Sequence, residues 1–533
     1  MAIQPTMLRP PAPRPVWQMV TGFALILPAF VLLLTSYVEP AVWTVRSSFN
    51  HFTGLRLTDS KGSGFDNYSR AFDAGLGGGL GFALSLAVLP LLAVLILAPA
   101  LAWAADRTGK AGRWATRGLL TIPLAAFSPL AVAMAWNAKK IFDDRLDAAD
   151  VRVVYWLGTF GLVTAAAVMV YLAAFRRRDP DRNPWPAVVV AALIGVLAVI
   201  AAALQDFTYS TVMGAGGNGA TPARQVVERS LARFDFGTGA AISTVLVLPL
   251  ILFGVTTTLL IVVTGLRLEV DGTNPQPTTR PSAVAWVVGG VLLLVALAGT
   301  WSGLGPWLSH AADDNAAFTE PTWVNTWIPP LISTLIGVTV AALAAFGISA
   351  LRPLGRHSEW LLMPFGLFLF VGDAPLALRA YANGMTGARL DSFVGLIPPS
   401  RVAIPALFVL ALLFRGQALR RETLHQENRP MSWAAVILPA LPMLALAYLA
   451  TWVVQAQDLL WPYITSGRGH LTAQLALFQA FQTFDLEHIP YSRLFPLWML
   501  IPLILIGIAA QLLYLDRVGL RLGLPERDHP PRT

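Results

Sequence analysis

Apolar residues are gathered into long runs along this chain, and the stretches between the runs are polar and rich in Pro and Gly. Twelve runs are long enough to cross a bilayer, whose hydrocarbon core takes about 20 residues of helix. They cover residues 18–38, 81–104, 117–136, 153–174, 186–204, 239–265, 283–303, 328–350, 360–378, 394–414, 432–454 and 494–515. The pattern predicts an all-α polytopic membrane protein with about 12 transmembrane helices.

The charged residues predict which loops share a side of the membrane. The two tails and the even-numbered connections carry 22 Lys and Arg against 11 Asp and Glu, and the other connections carry 16 against 19. Basic residues concentrate on the cytoplasmic side of membrane proteins. We therefore expect both termini in the cytoplasm and the loop 304–327, which has no Lys or Arg, outside. The first apolar run lacks a cleavage site and is interpreted as a retained span.

The composition excludes several classes of protein. Hydrophobic residues make up 55% of the chain and charged residues 13%, and the mean hydropathy is +0.61, which is too apolar for an ordinary soluble domain. The absence of cysteine excludes disulfides, thiolate metal sites and cysteine nucleophiles. The histidines show no metal-ligand spacing, and no phosphate-binding loop of the form GxxxxGKS or GxxxxGKT occurs. We expect no metal, no cofactor, no nucleic-acid partner, no enzymatic activity and no ATP hydrolysis by this chain alone.

Two polar pairs end apolar runs in the two parts of the chain. The pair Gln457-Asp458 follows the run 432–454, and the pair Gln205-Asp206 follows the run 186–204. Leu-Leu-Thr-Ile-Pro123 and Leu-Leu-Met-Pro364 form a second echo in the same order. The repeat is therefore parallel. It predicts two halves of about six spans each, at 1–266 and 283–533, joined by a cytoplasmic linker at 267–282.

Several motifs resemble the two permease subunits of carbohydrate ABC importers of the maltose and glycerol-phosphate type, here fused in one chain. In the first half, Phe65-Asp66-Asn67-Tyr68 resembles a GxxNY segment, and Gln205-Asp206-Phe207 with Thr221 resembles part of the outer segment. In the second half, Gln457-Asp458-Leu-Leu-Trp461-Pro462 resembles WN(D/E)FLWP, with Thr472 as the threonine that follows. The resemblance implies a type I importer permease in the bacterial cytoplasmic (inner) membrane. Its solute would be a sugar or a sugar-like compound.

The same resemblance implies partners. The family works with two ATPase subunits, which supply ATP hydrolysis, and with an extracytoplasmic solute-binding protein. Its ATPases dock on a cytoplasmic loop containing EAAxxDGA before the fifth span of each unit. The corresponding loops here, at 175–185 and 415–432, are shorter and lack that motif. The coupling residues that the resemblance implies are Arg177, Arg178, Asp179, Arg420, Arg421 and Glu422.

Charged and amide side chains at the ends of membrane spans are the candidates for a solute path. Such groups cost several kcal/mol against lipid, so they usually face a cavity or one another. Carboxylates and amides bind hydroxyl groups, and aromatic faces stack on sugars. We expect a central cavity between spans five, six, nine and eleven. The predicted path residues are Gln205, Asp206, Tyr209, Asp373, Arg401, Gln457, Asp458 and Trp461.

Three alternatives remain open from the sequence. The charges can instead lie in the headgroup region, with Arg401 paired to Asp373 or Asp391. The short coupling loops are compatible with a non-transporting membrane scaffold built on a permease fold. The loop from Asp106 to Lys110 resembles the DRxGR loop of major-facilitator transporters, which are secondary transporters with six plus six spans.

Overall fold

The long apolar runs form helices packed side by side. The computed structural model of the chain describes residues 15–52, 60–140, 147–176, 183–214, 219–270, 282–313, 320–387, 389–399, 402–426, 431–482 and 494–523. Within these ranges, nine helices are long and apolar enough to cross a membrane, or ten if one bent pair is counted as a span. This confirms the prediction of a helical multi-pass membrane protein.

Helices in the first part of the chain follow the predicted runs. They are α1 (Val16–Leu33), α2 (Glu39–Ser47), α3 (Asp66–Asp73), α4 (Leu76–Leu86), α5 (Val88–Leu92), α6 (Ala98–Arg107), α7 (Gly109–Ala125), α8 (Pro129–Lys140), α9 (Ala148–Phe175), α10 (Trp185–Leu204), α11 (Thr208–Val212), α12 (Pro222–Val227) and α13 (Phe236–Thr264). One turn of π-helix joins α1 to α2, and another joins α5 to α6, so each set forms a continuous span. A short ribbon, β1 (Asn50–Phe52) with β2 (Ser60–Gly62), follows α2.

Helices in the second part depart further from the predicted runs. They are α14 (Ala283–Asp313), α15 (Glu320–Phe346), α16 (Met363–Gly366), α17 (Ala377–Thr386), α18 (Ile404–Gln426), α19 (Trp433–Ile437), α20 (Leu441–Ala456), α21 (Leu460–Thr465), α22 (Ala473–Gln482) and α23 (Leu497–Leu513). The run 394–414 is helical only from Ile404 onward, in α18.

Both regions predicted as third spans of their halves are broken. Helices α7 and α8 meet at 77° across residues 126–128. The predicted run 360–378 is not one helix, because it consists of a 3-10 helix (Gly355–Leu362), α16, a non-helical turn and a second short 3-10 helix (Ala374–Leu376). Pro364 and Pro375 lack the N–H that a continuous helix needs, and Gly366 and Gly372 weaken helical propensity. Within the described residues, two of the predicted spans are thus broken, and the count of about 12 stays a prediction.

The two parts of the chain are interleaved. Helix α1 packs against α15, while α14 packs against α6 and α9. Helix α23 packs against α7, and α13 packs against α16. Strands β3 (Arg267–Val270) and β4 (Val518–Arg521), which follow α13 and α23, pair antiparallel, with Arg267 opposite Arg521. Each part thus contributes helices to the packing of the other, and their ends meet in one ribbon.

Glycine allows the close contact between α9 and α14. Gly299 and Gly303 of α14 face α9, where a Cβ on Gly303 would overlap the carbonyl oxygen of Leu157. Small residues allow helix backbones to approach closely in membranes, where packing rather than water exclusion drives association. The α9–α14 crossing therefore depends on having no side chain at Gly303.

We predict that Gly303→Ala destabilises the protein by about 1–3 kcal/mol, because the added methyl group forces α9 and α14 apart. Gly290→Ala is the matched control on the same helix, since a Cβ there meets no atom within 4 Å. Thermal unfolding of the purified variants, followed by tryptophan fluorescence, measures the difference. Equal melting temperatures for the two variants would contradict this view of the crossing.

Candidate solute cavity

A cavity of about 1050 Å³ lies between the two parts of the chain. Its wall is formed by α9 and α10 of the first part and by α18, α20 and the turn at 372–374 of the second. Helix α9 takes the place that we predicted for the sixth span, since α13 contributes no lining residue in the described ranges. Six predicted path residues line this one cavity: Gln205, Asp206, Tyr209, Asp373, Gln457 and Asp458.

Of the other two predicted path residues, Trp461 is described and does not line the cavity. Trp461 is buried in α21 beside the cavity, where its backbone N–H donates to Asp458 Oδ2 at 3.0 Å. Arg401 lies outside the described residues, so its predicted pairing with Asp373 or Asp391 stays a prediction. Asp373 itself lies in the turn between α16 and α17.

Each glutamine of the polar pairs reaches a broken third span of the other part. Gln205 Nε2 donates to the carbonyl oxygen of Phe370 at 2.8 Å, and its Oε1 accepts from the N–H of Gly372 at 2.8 Å. Gln457 Oε1 accepts from Ser128 Oγ at 2.7 Å in the break between α7 and α8. Non-helical backbone inside a membrane must be hydrogen-bonded within the protein. Gln205 supplies these hydrogen bonds at the turn before Asp373.

Each aspartate of the polar pairs caps the short helix that follows it. Asp206 accepts from the backbone N–H groups of Tyr209 and Ser210, at 3.3 and 3.1 Å. Asp458 accepts from Trp461 in the same way. A carboxylate at the N-terminus of a helix satisfies free N–H groups and complements the helix dipole. These bonds hold both carboxylates at the cavity wall.

A threonine that caps a short helix is a further feature found in both parts of the chain. Thr221 Oγ1 donates to the carbonyl oxygen of Asp206 and caps α12, accepting from the N–H of Arg224. Thr472, the threonine at the corresponding place, caps α22 by accepting from the N–H of Leu475 at 3.4 Å. The threonines quoted for the resemblance thus occupy comparable positions as helix caps.

The β3–β4 ribbon lines the end of the cavity away from Gln205 and Gln457. Leu268 of β3 and Val518 and Leu520 of β4 line the cavity. Beside the ribbon, the buried Asp516 accepts from Arg113 Nε at 2.7 Å, and Arg117 Nε lies 3.4 Å from the same carboxylate. Removing one partner of a buried ion pair leaves an uncompensated charge, so these residues fix the ribbon to α7.

The sequence analysis missed Ser128, Arg117 and Asp516 as residues in or beside the cavity. Their partners lie more than 300 positions away, which a local pattern cannot reveal. The break at Ser128 did carry a local signal, because Pro123 and Pro129 flank it. Among the described residues, no group of three or more His, Asp or Glu side chains gathers with metal-binding geometry.

The predicted coupling residues of the second half contact other segments of the chain. Arg420 donates to the carbonyl oxygen of Val270, and Arg421 donates to that of Met431 and lies over Trp433. Glu422 accepts from Arg352 at 3.4 Å. Arg177, Arg178 and Asp179 of the first half lie outside the described residues.

No model of a known protein family matches this chain, and no characterised protein matches it in sequence. The resemblance to importer permeases therefore rests on the motifs quoted above.

Outside the membrane-spanning helices, Asp391 anchors the loop that follows the C-terminal end of α21. The Asp391 carboxylate accepts from the N–H groups of Gly469 and His470, at 3.0 and 2.8 Å. The N–H of Asp391 donates to the carbonyl oxygen of Thr465, the last residue of α21. The pKa of Asp391 lies below its usual value of 3.8, mainly because its carboxylate accepts the hydrogen bond from the Gly469 N–H. This anchor fixes the loop that follows the Asp458 cap.

We predict that Asp391→Asn loosens residues 466–470 at neutral pH, because the amide is a weaker acceptor than the carboxylate. A lowered pKa in the folded protein means that the carboxylate stabilises the loop above its usual pKa, and that this contribution is lost as the pH falls through the lower value. Hydrogen exchange of the loop should differ between wild type and variant at pH 7, and the difference should shrink as the pH falls below the usual Asp pKa of 3.8. A difference that does not shrink at acid pH would refute the assignment.

Proposed function

We propose that this chain is the permease of a membrane importer and that its solute passes through the cavity between the two parts. The observation that carries the proposal is the convergence of Gln205, Asp206, Gln457 and Asp458 on one cavity. Ionisable groups placed inside a membrane protein usually mark a substrate or ion path. Binding sites of transporters with repeated halves lie between the repeats.

The construction of the cavity supports alternating access. The polar end is held by side chains that cross from one part to the other, and the opposite end is lined by a ribbon with one strand from each part. A rigid rocking of one part against the other would change both ends together. The cavity also favours transport over a non-transporting scaffold, since a scaffold needs no internal space of this size.

The partners and the location belong to the proposal. The chain would lie in a bacterial cytoplasmic membrane with both termini inside, bind two ATPase subunits and receive its solute from an extracytoplasmic binding protein. The sugar that the resemblance implies stays a prediction, since no contact in the structure tests it.

A second candidate is an ion-driven transporter on the same cavity. It is favoured by the contacts of Arg420, Arg421 and Glu422, which bind Val270, Met431 and Arg352 of the same chain. Each of these side chains already has a partner within the chain, although half of the Glu422 side chain stays exposed. The carboxylates of Asp206 and Asp458 would then be the candidates for carrying the coupling proton.

Affinity purification of the tagged chain in mild detergent, with mass spectrometry and an ATPase assay, separates the two candidates. We expect two ATPase subunits per chain and ATP hydrolysis in the purified complex. Purification of the chain alone, without ATPase activity, would contradict the importer and favour the ion-driven transporter.

Uptake into cells tests the cavity itself. We predict that Asp206→Ala and Asp458→Ala each reduce uptake by about tenfold or more, because each removes a charged group from the path. The control is Asp73→Ala at the exposed end of α3, outside the cavity. Unchanged uptake in both cavity variants, with the protein folded and present in the membrane, would overturn the assignment.

A further inference from the structure

The wall of the cavity between its two ends is apolar. Val170 of α9, Val409 of α18 and Val454 of α20 all line it, with 45%, 38% and 50% of their surface exposed. The facing side of α10 is lined by Ala191, Ile194 and other apolar residues. Water in contact with this wall is unfavourable, and an apolar group that replaces it gains the hydrophobic free energy. The wall therefore suits the apolar part of a ligand.

A free sugar does not match this wall. Sugar hydroxyls need hydrogen-bonding partners along the whole molecule, and a buried hydroxyl without a partner is costly. The polar lining residues are instead concentrated near Gln205 and Gln457, where α10 and α20 end. The lining extends along α10 back to Ala191, which places apolar wall over about 20 Å at 1.5 Å per residue.

The polar end of the cavity is acidic and aromatic. Asp206, Asp373 and Asp458 line it, and in the described part of the chain Arg117, near the ribbon, is the one basic residue in the lining. Tyr155 and Tyr209 stand edge to face at 5.3 Å beside Asp206, and both line the cavity. Carboxylates together with aromatic faces are the groups that recognise ammonium ions in proteins.

We infer that the solute of this cavity is a cationic amphiphile, with its ammonium head between Asp206, Asp458 and the two tyrosines and its apolar body along the valine-lined wall. This inference rests on the proposed function, because it names the solute class of the same site. It differs from the sugar that the sequence motifs imply. The head group is held where both parts of the chain contribute a carboxylate, and the body lies along α9, α10 and α20.

Binding to the full chain in lipid nanodiscs tests the inference. The probes are octyltrimethylammonium, tetramethylammonium, octyl glucoside and maltose, each titrated by calorimetry against protein-containing and empty nanodiscs. The empty nanodiscs correct for partition into lipid. We expect saturable binding of octyltrimethylammonium, at least about tenfold tighter than that of tetramethylammonium or octyl glucoside.

Substitutions at the acidic end and on the apolar wall test which part of the ligand binds at each place. Asp206→Asn combined with Asp458→Asn should weaken octyltrimethylammonium by about tenfold or more and leave octyl glucoside unchanged, because the substitutions remove charge and keep shape. Val454→Thr should weaken both octyl compounds, because it adds a hydroxyl to the wall at nearly constant volume. The controls are Asp73→Asn and Val291→Thr, which lie outside the cavity lining, and neither should alter binding.

The outcomes separate this inference from the proposed function. Tighter binding of maltose or octyl glucoside than of octyltrimethylammonium would overturn the inference while leaving a permease. Loss of binding in Val291→Thr as well as Val454→Thr would also overturn it, because the effect would then come from lipid. Specific binding of octyltrimethylammonium without any transport would support the inference and contradict the proposed function.

Discussion

The structure depends on one requirement of the bilayer, which is that backbone groups leaving a helix inside the membrane must be hydrogen-bonded within the protein. The non-helical turn between α16 and α17 is the sharpest case. Gln205 meets its requirement by bonding both the carbonyl oxygen of Phe370 and the N–H of Gly372. In the other part, Gln457 joins Ser128 at the break between α7 and α8 to the carbonyl oxygen of Leu494 before α23. The turn before Asp373 therefore keeps these hydrogen bonds only while the two parts stay in contact.

The breaks also contribute to the cavity wall. The turn at 372–374 brings Asp373 to the wall, and Phe127 and Pro129 line it at the break between α7 and α8. Helix α9, which lines the cavity, packs against α14 of the other part. The β3–β4 ribbon lines the end of the cavity away from Gln205 and Gln457, with the ion pair of Arg113 and Asp516 beside it. The hydrogen bonding of the broken helices, the packing of the helices and the lining of the cavity are thus linked.

The sequence predicts the helical, multi-pass character well, because runs of about 20 apolar residues have few other structures available in a protein. It also singles out Gln205, Asp206, Gln457 and Asp458, which the structure places on one cavity. Hydropathy cannot tell a straight helix from a broken one, so the run 360–378 was predicted as a span, although Pro364 and Pro375 signalled a break. The role of Gln205 as the partner of two backbone groups could not be predicted, nor could the bond between Gln457 and Ser128, because both depend on contacts with the opposite part of the chain.

The most direct test of the account is the accessibility of the cavity to water-soluble reagents. The chain contains no cysteine, so single cysteines can be introduced without background. Val170→Cys and Val454→Cys lie on the cavity wall, and Val291→Cys, exposed on α14 outside the cavity lining, is the control. We predict that a membrane-impermeant cationic methanethiosulfonate modifies both cavity positions in intact membranes or inverted vesicles and leaves the cysteine at position 291 unmodified. Unreactive cavity positions from both sides of the membrane, in a folded protein, would contradict a solute path between the two parts.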